Sequence, residues 1–404
     1  MLRSTMCLFL VLGFGGATAR AQAPLPGDPA ETGGGIRTGP LVLHPRFELV
    51  DAGVDSNVFN DPERPERDFT ATFRPGLNAV VRLGVARIAL RTSVEAVHFQ
   101  KFADERSLNR TGEVRTELRL SRMVPYATVS GLVTSQRPNN EVDLRARRTS
   151  NGYGGGAAFL VFSRTAAVVS VQHQRLAYAP DQSFAGADLA TQFNHRRDSY
   201  ELGARIALTS LTTMSLTGGQ ERMRFELSPE RDTDSTRAGV SFEFDPQAII
   251  SGSASIAYRR FDLAGPALPD FRGLVSQVTI QYSFQDRTAV SVRYVRDVDY
   301  SVEEGQPYYV LTAGTVTLTQ RIGGPFDVQG TVAREGRRYR ARTGVEIDPG
   351  DDSDTTNTAA AGVGYRLGET ARIGVNIEFT SRDALNTGRS YDRRRIVSSI
   401  TYGF

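Results

Sequence analysis

The chain has 404 residues, of which 40% are hydrophobic and 23% charged, with a formal net charge of +3, one Cys and no Trp. This length fits two or three soluble domains or one large β-domain. The composition excludes a collagen, a disulfide-rich scaffold and a bulk disordered chain, and the weak net charge does not favour nucleic acid as a partner. Beyond the N-terminus no run of about 18 apolar residues occurs, so no transmembrane helix is predicted.

The N-terminus has the pattern of an export signal. Arg3 gives a positive start, residues 6–16 form an apolar core, and Ala19 and Ala21 supply the small residues of a cleavage site. We therefore predict a cleaved signal peptide over residues 1–21. Residues 22–40 are rich in Pro and Gly, which predicts a flexible periplasmic leader.

From residue 41 to the end, apolar and polar residues alternate with the period of a β-strand. Near the C-terminus, for example, Ile373 and Ile377 share one face while Arg372 and Glu378 share the other. Eight short links alternate strictly with nine longer polar links, which predicts about 18 strands. A soluble β-sandwich also alternates, but it gives no reason for all the long loops to lie at one end.

The predicted fold is all-β: a closed antiparallel up-and-down transmembrane β-barrel over residues 41–404, with about 18 strands or, as the alternative, 16. In hydrocarbon every backbone amide must be paired within the protein, so extended strands persist only in a closed sheet. Short turns and long loops at opposite ends indicate the bacterial outer membrane. The expected partners are outer-membrane lipid, lipopolysaccharide and the barrel assembly machinery.

Two groups of aromatic residues are assigned roles at the membrane. Aromatic residues near strand ends are predicted to form an outer interfacial girdle: Tyr258, Phe261, Tyr300, Tyr308 and Tyr309. The last residues alternate up to Tyr402 and Phe404, a pattern similar to the last-strand signal that the assembly machinery reads. We predict that role for Tyr402 and Phe404; an ordinary edge strand is the alternative.

Charged residues within the strands are predicted to point into the lumen, because a charge facing lipid at the bilayer midplane costs about 2–4 kcal/mol. Facing rows of Arg and carboxylate side chains would set a field across a hydrated pore and tune its selectivity. The alternative is that these charges pair with one another and only solvate the wall. The lumen-lining candidates are Glu113, Arg115, Glu117, Arg119, Arg205, Arg237, Glu243, Arg293, Asp297, Arg366, Arg372 and Glu378.

A short motif follows the first strand. Asp55, Ser56, Asn57, Val58 and Phe59 resemble the "DSNVF" box of the β-barrel porin type 2 family. Further matches to that family lie in the second strand and at the C-terminus, so that the resemblance covers roughly 41–404: Asp68, Pro75, Tyr391, Asp392, Arg393, Tyr402 and Phe404. Because Asp, Ser and Asn favour local turns, we predict that the box shapes the first external loop rather than binding a ligand.

The resemblance also implies a function. Relatives in this family are associated with secretion of surface polysaccharide or exopolysaccharide, which implies an export role and a periplasmic export component as a partner. The family has no agreed catalytic motif, and the four histidines lack metal-ligand spacing. We therefore predict export of exopolysaccharide or surface polysaccharide through a hydrated lumen, with no enzyme activity, cofactor or metal. The alternatives are a general or solute-specific diffusion porin and a structural or adhesive outer-membrane barrel.

Overall fold

The computed structural model describes residues 35–246, 248–285, 287–303, 305–344, 353–384 and 387–403. The predicted signal peptide, residues 22–34 of the predicted leader and Phe404 lie outside the described residues. Ile36–Thr38 form a short strand that pairs with the start of the first barrel strand. Within the described part of the chain, no helix is long and apolar enough to cross a membrane.

Within these residues, eighteen long strands form one antiparallel sheet in which each strand pairs with the next in sequence. The strands are β1 Leu41–Asp55, β2 Asp68–Leu83, β3 Ala86–Phe99, β4 Ser107–Leu118, β5 Met123–Thr134, β6 Arg148–Phe162, β7 Thr165–Tyr178, β8 His195–Ala207, β9 Thr212–Phe225, β10 Thr233–Phe244, β11 Ile250–Leu263, β12 Phe271–Phe284, β13 Thr288–Tyr300, β14 Tyr308–Gly323, β15 Phe326–Arg340, β16 Ser353–Leu367, β17 Ala371–Asp383 and β18 Tyr391–Gly403. Because β18 also pairs with β1, the sheet closes into a barrel. The prediction of 18 strands is confirmed, and the alternative of 16 is wrong.

Turns and loops are divided between the two ends of the barrel as predicted. The turns between β2 and β3 and between β14 and β15 have only two residues outside the strands. Gly84 and Gly324 occupy these turns with φ values of +59° and +55°, a conformation that favours glycine. The other links at this end have two to five residues, whereas the connections of seven or more residues, including the one that carries the helix α1 (Leu189–Phe193), lie at the opposite end, which is the outer end of an outer-membrane barrel.

The outward faces of the strands are apolar along most of their length. Val332, Phe379 and Ile396 are exposed on neighbouring parts of the wall, while the alternate residues Asp327, Glu378 and Arg382 are buried on its inner side. This arrangement is that of a barrel whose outer surface contacts lipid and whose lumen holds the polar groups.

A β-bulge in β1 reverses which residues point inward. Asp51 has a φ of +54°, and the pairing of β1 with both β2 and β18 shifts register at this point. Glu48 is buried before the bulge and Asp55 after it, so an even and an odd position both reach the interior. The extra residue of a bulge produces this change of side.

The predicted aromatic girdle is wrong for four of its five residues. Tyr258 is exposed on the outer wall, but Phe261, Tyr300, Tyr308 and Tyr309 are almost fully buried. Phe261 lies on an inward position of β11. Tyr309 likewise lies on an inward position of β14. Tyr300 and Tyr308 are inside because β12 pairs with β13 only up to Arg296, and the outer end of the β13–β14 hairpin leaves that edge and turns into the lumen. There Tyr300 and Tyr308 pack against Phe261.

Candidate functional site: the lumen and the loops that cross it

The loop between β5 and β6, residues 135–147, runs through the inside of the barrel; we call it the crossing loop. Asn140 Nδ2 donates to Glu335 Oε2 at 3.0 Å, and Asn139 Nδ2 donates to the Tyr309 hydroxyl at 3.3 Å. Glu335 and Tyr309 belong to β15 and β14, on a distant part of the wall, so these contacts are made through the lumen. Glu141 is fully buried although it lies in a loop.

The loop after β1, which contains the family box and the next residue, Asn60, contacts the crossing loop from the side. Asn60 Nδ2 donates to Asp143 Oδ2 at 2.7 Å, and Arg137 donates to the Val58 carbonyl oxygen at 2.6 Å. Arg137 also pairs with Asp143, with a nitrogen–oxygen distance of 2.5 Å. The loop that follows β1 is therefore part of the framework that holds the crossing loop inside the barrel.

Within the box, each side chain has a structural partner. Asp55 accepts a hydrogen bond from the Asn57 backbone N–H at 3.0 Å and pairs with Arg393 of β18. The Ser56 hydroxyl accepts from the Arg394 backbone N–H at 2.8 Å. Val58 is buried, and the Phe59 ring packs edge-on against Phe102 with centroids 4.7 Å apart. These contacts tie the box to β18 and to the loop after β3.

The loop between β13 and β14, residues 301–307, meets the crossing loop at Glu141; we call it the inner hairpin loop. Ser301 is fully buried, and its hydroxyl donates to Glu141 Oε1 at 2.6 Å. The Val302 backbone N–H donates to the same oxygen at 3.1 Å. Burial raises the pKa of the Glu141 carboxyl to about 7, although these hydrogen bonds and the Arg337 charge act in the opposite direction.

The buried cation Arg231 fixes the inner hairpin loop on its other side. Its guanidinium donates to the carbonyl oxygens of Ser301 and, at 3.3 Å, Pro307. The same group lies 5.4–5.6 Å from the ring centres of Phe193, Phe225 and Tyr300, within the range of cation–π attraction. An apolar cluster surrounds these contacts inside the outer half of the barrel, including Val142, Leu189, Met223, Phe261, Val302 and Tyr308.

Most of the lumen-lining candidates lie on the inner wall in ion pairs. Some of these residues pair with one another and others pair with further inner residues. The nitrogen–oxygen distances are Arg115–Glu117 2.7 Å, Arg205–Glu243 2.9 Å, Arg237–Glu201 3.6 Å, Arg259–Asp297 2.7 Å, Arg366–Asp327 3.1 Å, Arg372–Asp327 2.6 Å and Arg395–Glu378 3.4 Å. Glu113 and Arg293 occupy inward positions by register. Arg119 lies just beyond β4, in a turn, 3.8 Å from Glu117. The geometry therefore matches the interpretation that these charges pair with one another.

Several inner residues were not identified from the sequence. Alternation would have found Arg259 and Arg337, which lie on inward positions of β11 and β15. Arg337 joins Asp354 and Arg382 in a buried network. Glu141, Ser301 and Arg231 lie in loops, where a period of two residues gives no information about orientation.

Water reaches the inner wall in some places and not in others. The Arg337, Asp354 and Arg382 side chains, near the crossing loop, are at most 2% exposed. The Arg74 side chain is 24% exposed and that of Arg237 46%. Among the described residues, no group of three or more His, Cys, Asp or Glu side chains is arranged to hold a metal ion. The inner surface is thus a wall of paired charges that is partly hydrated and partly covered by loops.

Solved structures with a similar backbone are outer-membrane proteins. A BenF-like porin from Pseudomonas fluorescens Pf-5 aligns with a TM-score of 0.50 and 11% identity, covering 91% of this chain and 99% of that chain. The outer membrane protein opdK from Pseudomonas aeruginosa aligns with a TM-score of 0.48 and 9% identity, covering 90% and 99%. OccAB3 from Acinetobacter baumannii gives 0.48 and 10%, with the same coverage. At these identities the likeness shows the fold alone.

A comparison with curated proteins finds no match. The family model described as "Putative beta-barrel porin 2", in contrast, matches residues 28–404, which is nearly the whole chain. Together with the closed 18-stranded barrel, this match shows that the chain belongs to that family of porin-like outer-membrane β-barrels.

Proposed function

We propose that the protein is a passive diffusion channel for small hydrophilic solutes, narrowed from its outer side by the crossing loop and the inner hairpin loop. The observation that carries this proposal is the burial of Glu141 and Ser301 inside the barrel. A hydrated polymer that entered the lumen would meet both loops. A small solute needs only the hydrated space beside exposed wall residues such as Arg74 and Arg237.

Selectivity in this proposal comes from the charges of the inner wall. Arg237 faces Glu201 from the neighbouring part of the sheet, and Arg205 faces Glu243. Such pairs leave local fields along the pore even when their net charge is close to zero. Passage then requires no nucleotide or cofactor, because the solute moves down its own gradient.

Export of exopolysaccharide is the second candidate function, supported by the family resemblance of the box. Under this function the crossing loop would have to leave the lumen during transport. That movement would break the Glu141–Ser301 contact and separate Asn140 from Glu335. A conduit whose outer half is narrowed by loops in the resting state fits a regulated exporter but not an exporter that is permanently open to a polymer.

Conductance in planar bilayers tests the diffusion function. We expect small, stable current steps from the mature protein, and steps several times larger after residues 137–146 are replaced by a Gly-Ser segment of equal length. Unchanged steps would show that the crossing loop does not limit passage.

A deletion strain separates the two functions. Loss of surface polysaccharide in that strain, together with absence of conductance in both the wild-type protein and the Gly-Ser variant, would favour export and contradict diffusion.

A further inference from the structure

The seam between β12 and β13 is closed along only part of its length. From their short turn the two strands pair up to Ser276 and Arg296. Beyond that point both chains stay extended, and β13 remains paired with β14 as far as Tyr300 and Tyr308. The outer end of the β13–β14 hairpin is therefore an intact ribbon, while in the described part of the chain no strand pairs with the β12 edge over residues 271–275.

The hairpin end lies under β12 and not beside it. Val298 and Tyr300 occupy outward positions on β13 but are almost fully buried, whereas the outward residue Val292, farther down the same strand, is exposed. Both belong to one buried cluster with Phe261 and Phe271, which lie on inward positions of β11 and β12. The Phe261 and Tyr300 ring centres are 5.6 Å apart. The outward face of the hairpin end thus packs against the inward face of the neighbouring wall.

The sequence of the hairpin end is nevertheless that of a wall strand. Asp297 and Asp299 alternate with Val298 and Tyr300, so polar residues share the inward face and apolar residues the outward face. Continuing the existing register beyond Arg296 places Leu274 of β12 opposite Val298. In a completed seam Tyr300 would reach the outer interface of the membrane, where aromatic side chains are favoured.

We propose that the hairpin end is the gate of the channel, an inference that rests on the diffusion function proposed above. It exchanges between the present position under β12 and a wall position in which residues 297–301 pair with residues 271–275. The movement breaks no strand pairing and supplies partners to the open β12 edge. Its cost is the loss of the contacts of Ser301 with Glu141 and Arg231, and its result is withdrawal of the inner hairpin loop from the lumen.

Disulfide trapping tests the wall position, because the only cysteine of the chain is Cys7, in the predicted signal peptide. Leu274→Cys and Val298→Cys face each other in the completed seam. In the present position Val298 lies under the inner face of β12 and Leu274 is on its outer face. Packed sheets are about 10 Å apart, beyond the Cα separation of about 7 Å that a disulfide spans. We expect the oxidised pair to cross-link and to give current steps several times larger than those of the reduced protein.

The matched control is the pair Val278→Cys and Tyr294→Cys, which are opposite each other in the existing part of the same seam. This pair should cross-link completely without changing the current. If the Leu274/Val298 pair stays reduced where the control pair is oxidised, the hairpin has no wall position and the proposal is wrong. A cross-link that leaves the current steps of a conducting protein unchanged also contradicts the gate. A cross-link in a protein that conducts in neither state supports the two hairpin positions and contradicts the diffusion function.

A fluorescent probe replaces the cysteine pair if that variant does not fold. The chain has no Trp, so Tyr300→Trp introduces a single one. We expect brominated lipid to quench it more than Tyr309→Trp, which faces the lumen in both positions, and less than Tyr258→Trp, which is exposed on the outer wall. Quenching of Tyr300→Trp no stronger than that of Tyr309→Trp would contradict the wall position.

Discussion

The protonation state of Glu141 affects the contact between the crossing loop and the inner hairpin loop. Its carboxyl group is fully buried, and one of its oxygens accepts two hydrogen bonds from the inner hairpin loop. The charged and titratable groups that interact with it electrostatically come from several elements: Tyr178, Arg231, Tyr309, Arg337, Tyr339 and Arg389. Their opposing influences leave burial as the largest effect on its protonation.

The raised pKa of Glu141 predicts a pH-dependent channel. Its pKa rises from 4.5 to about 7 when the loops are inside the barrel, so the closed arrangement binds this proton more tightly than an arrangement with Glu141 in water. The stabilisation from protonation is complete below about pH 4.5 and is lost as pH rises through about 7. We expect conductance in planar bilayers to increase between about pH 6 and pH 8.

Variants of one glutamate from each loop separate this effect from general charge effects. Glu141→Gln keeps a neutral group that accepts from Ser301, so its conductance should stay low and lose its dependence on pH. Glu303→Gln removes an exposed carboxylate that pairs with Arg389 at 3.2 Å, and it should keep the wild-type dependence. A pH response that persists unchanged in Glu141→Gln would rule out this residue as its source.

Arg231 stabilises a whole element, because it holds the end of the β13–β14 hairpin inside the lumen. Replacing it by Met keeps an apolar stem among Phe193, Phe225 and Tyr300 but removes the donors to two buried carbonyl groups. Leaving a buried acceptor without a partner costs about 1–3 kcal/mol. We expect Arg231→Met to release the inner hairpin loop, with faster proteolysis within residues 301–307 and larger current steps.

Arg175→Met provides the control for that variant. Arg175 is an exposed arginine that pairs with Glu226 on the outer wall at 2.9 Å, so its removal should change neither proteolysis of residues 301–307 nor conductance. Wild-type protease resistance of Arg231→Met would mean that the apolar cluster alone keeps the hairpin inside the barrel.

The elements also show where sequence reasoning succeeds and where it stops. Period-two alternation and link length are local properties, so they predict the strands, the turns and the inward charges such as Arg115 and Arg372. The position of Tyr300 and Tyr308 is not local. Aromatic residues at strand ends occur both in an interfacial girdle and in an interior cluster. Only the early end of pairing between β12 and β13 places these two inside.

On the scale of the whole molecule, closure depends on the seam between the first and last strands. Across this seam Arg395 pairs with Asp51 at 2.5 Å and with Asp55 at 3.7 Å. Asp51 reaches Arg395 from the β1 bulge, which no alternation pattern in the sequence predicts. The box residue Asp55 thus links the first external loop to closure of the barrel, which accounts for its place at the end of the first strand.

At Gly53 the strands β1 and β18 approach too closely for a side chain. A Cβ atom at this position would lie 2.0 Å from the Ile396 carbonyl oxygen and 2.7 Å from the Val397 Cα. Both are backbone atoms of β18, so no side-chain rotation relieves the overlap, and β18 must move away from β1.

We therefore expect Gly53→Ala to lose most of the closed form, seen as loss of the faster-migrating folded band on unheated electrophoresis gels. Gly112→Ala lies within β4, where a Cβ meets no atom within 4 Å, and it should close like the wild-type protein. Normal closure of Gly53→Ala would mean that the β1–β18 seam accommodates a Cβ atom at position 53. The Asp51–Arg395 pair would then be the remaining contact that accounts for the β1 bulge.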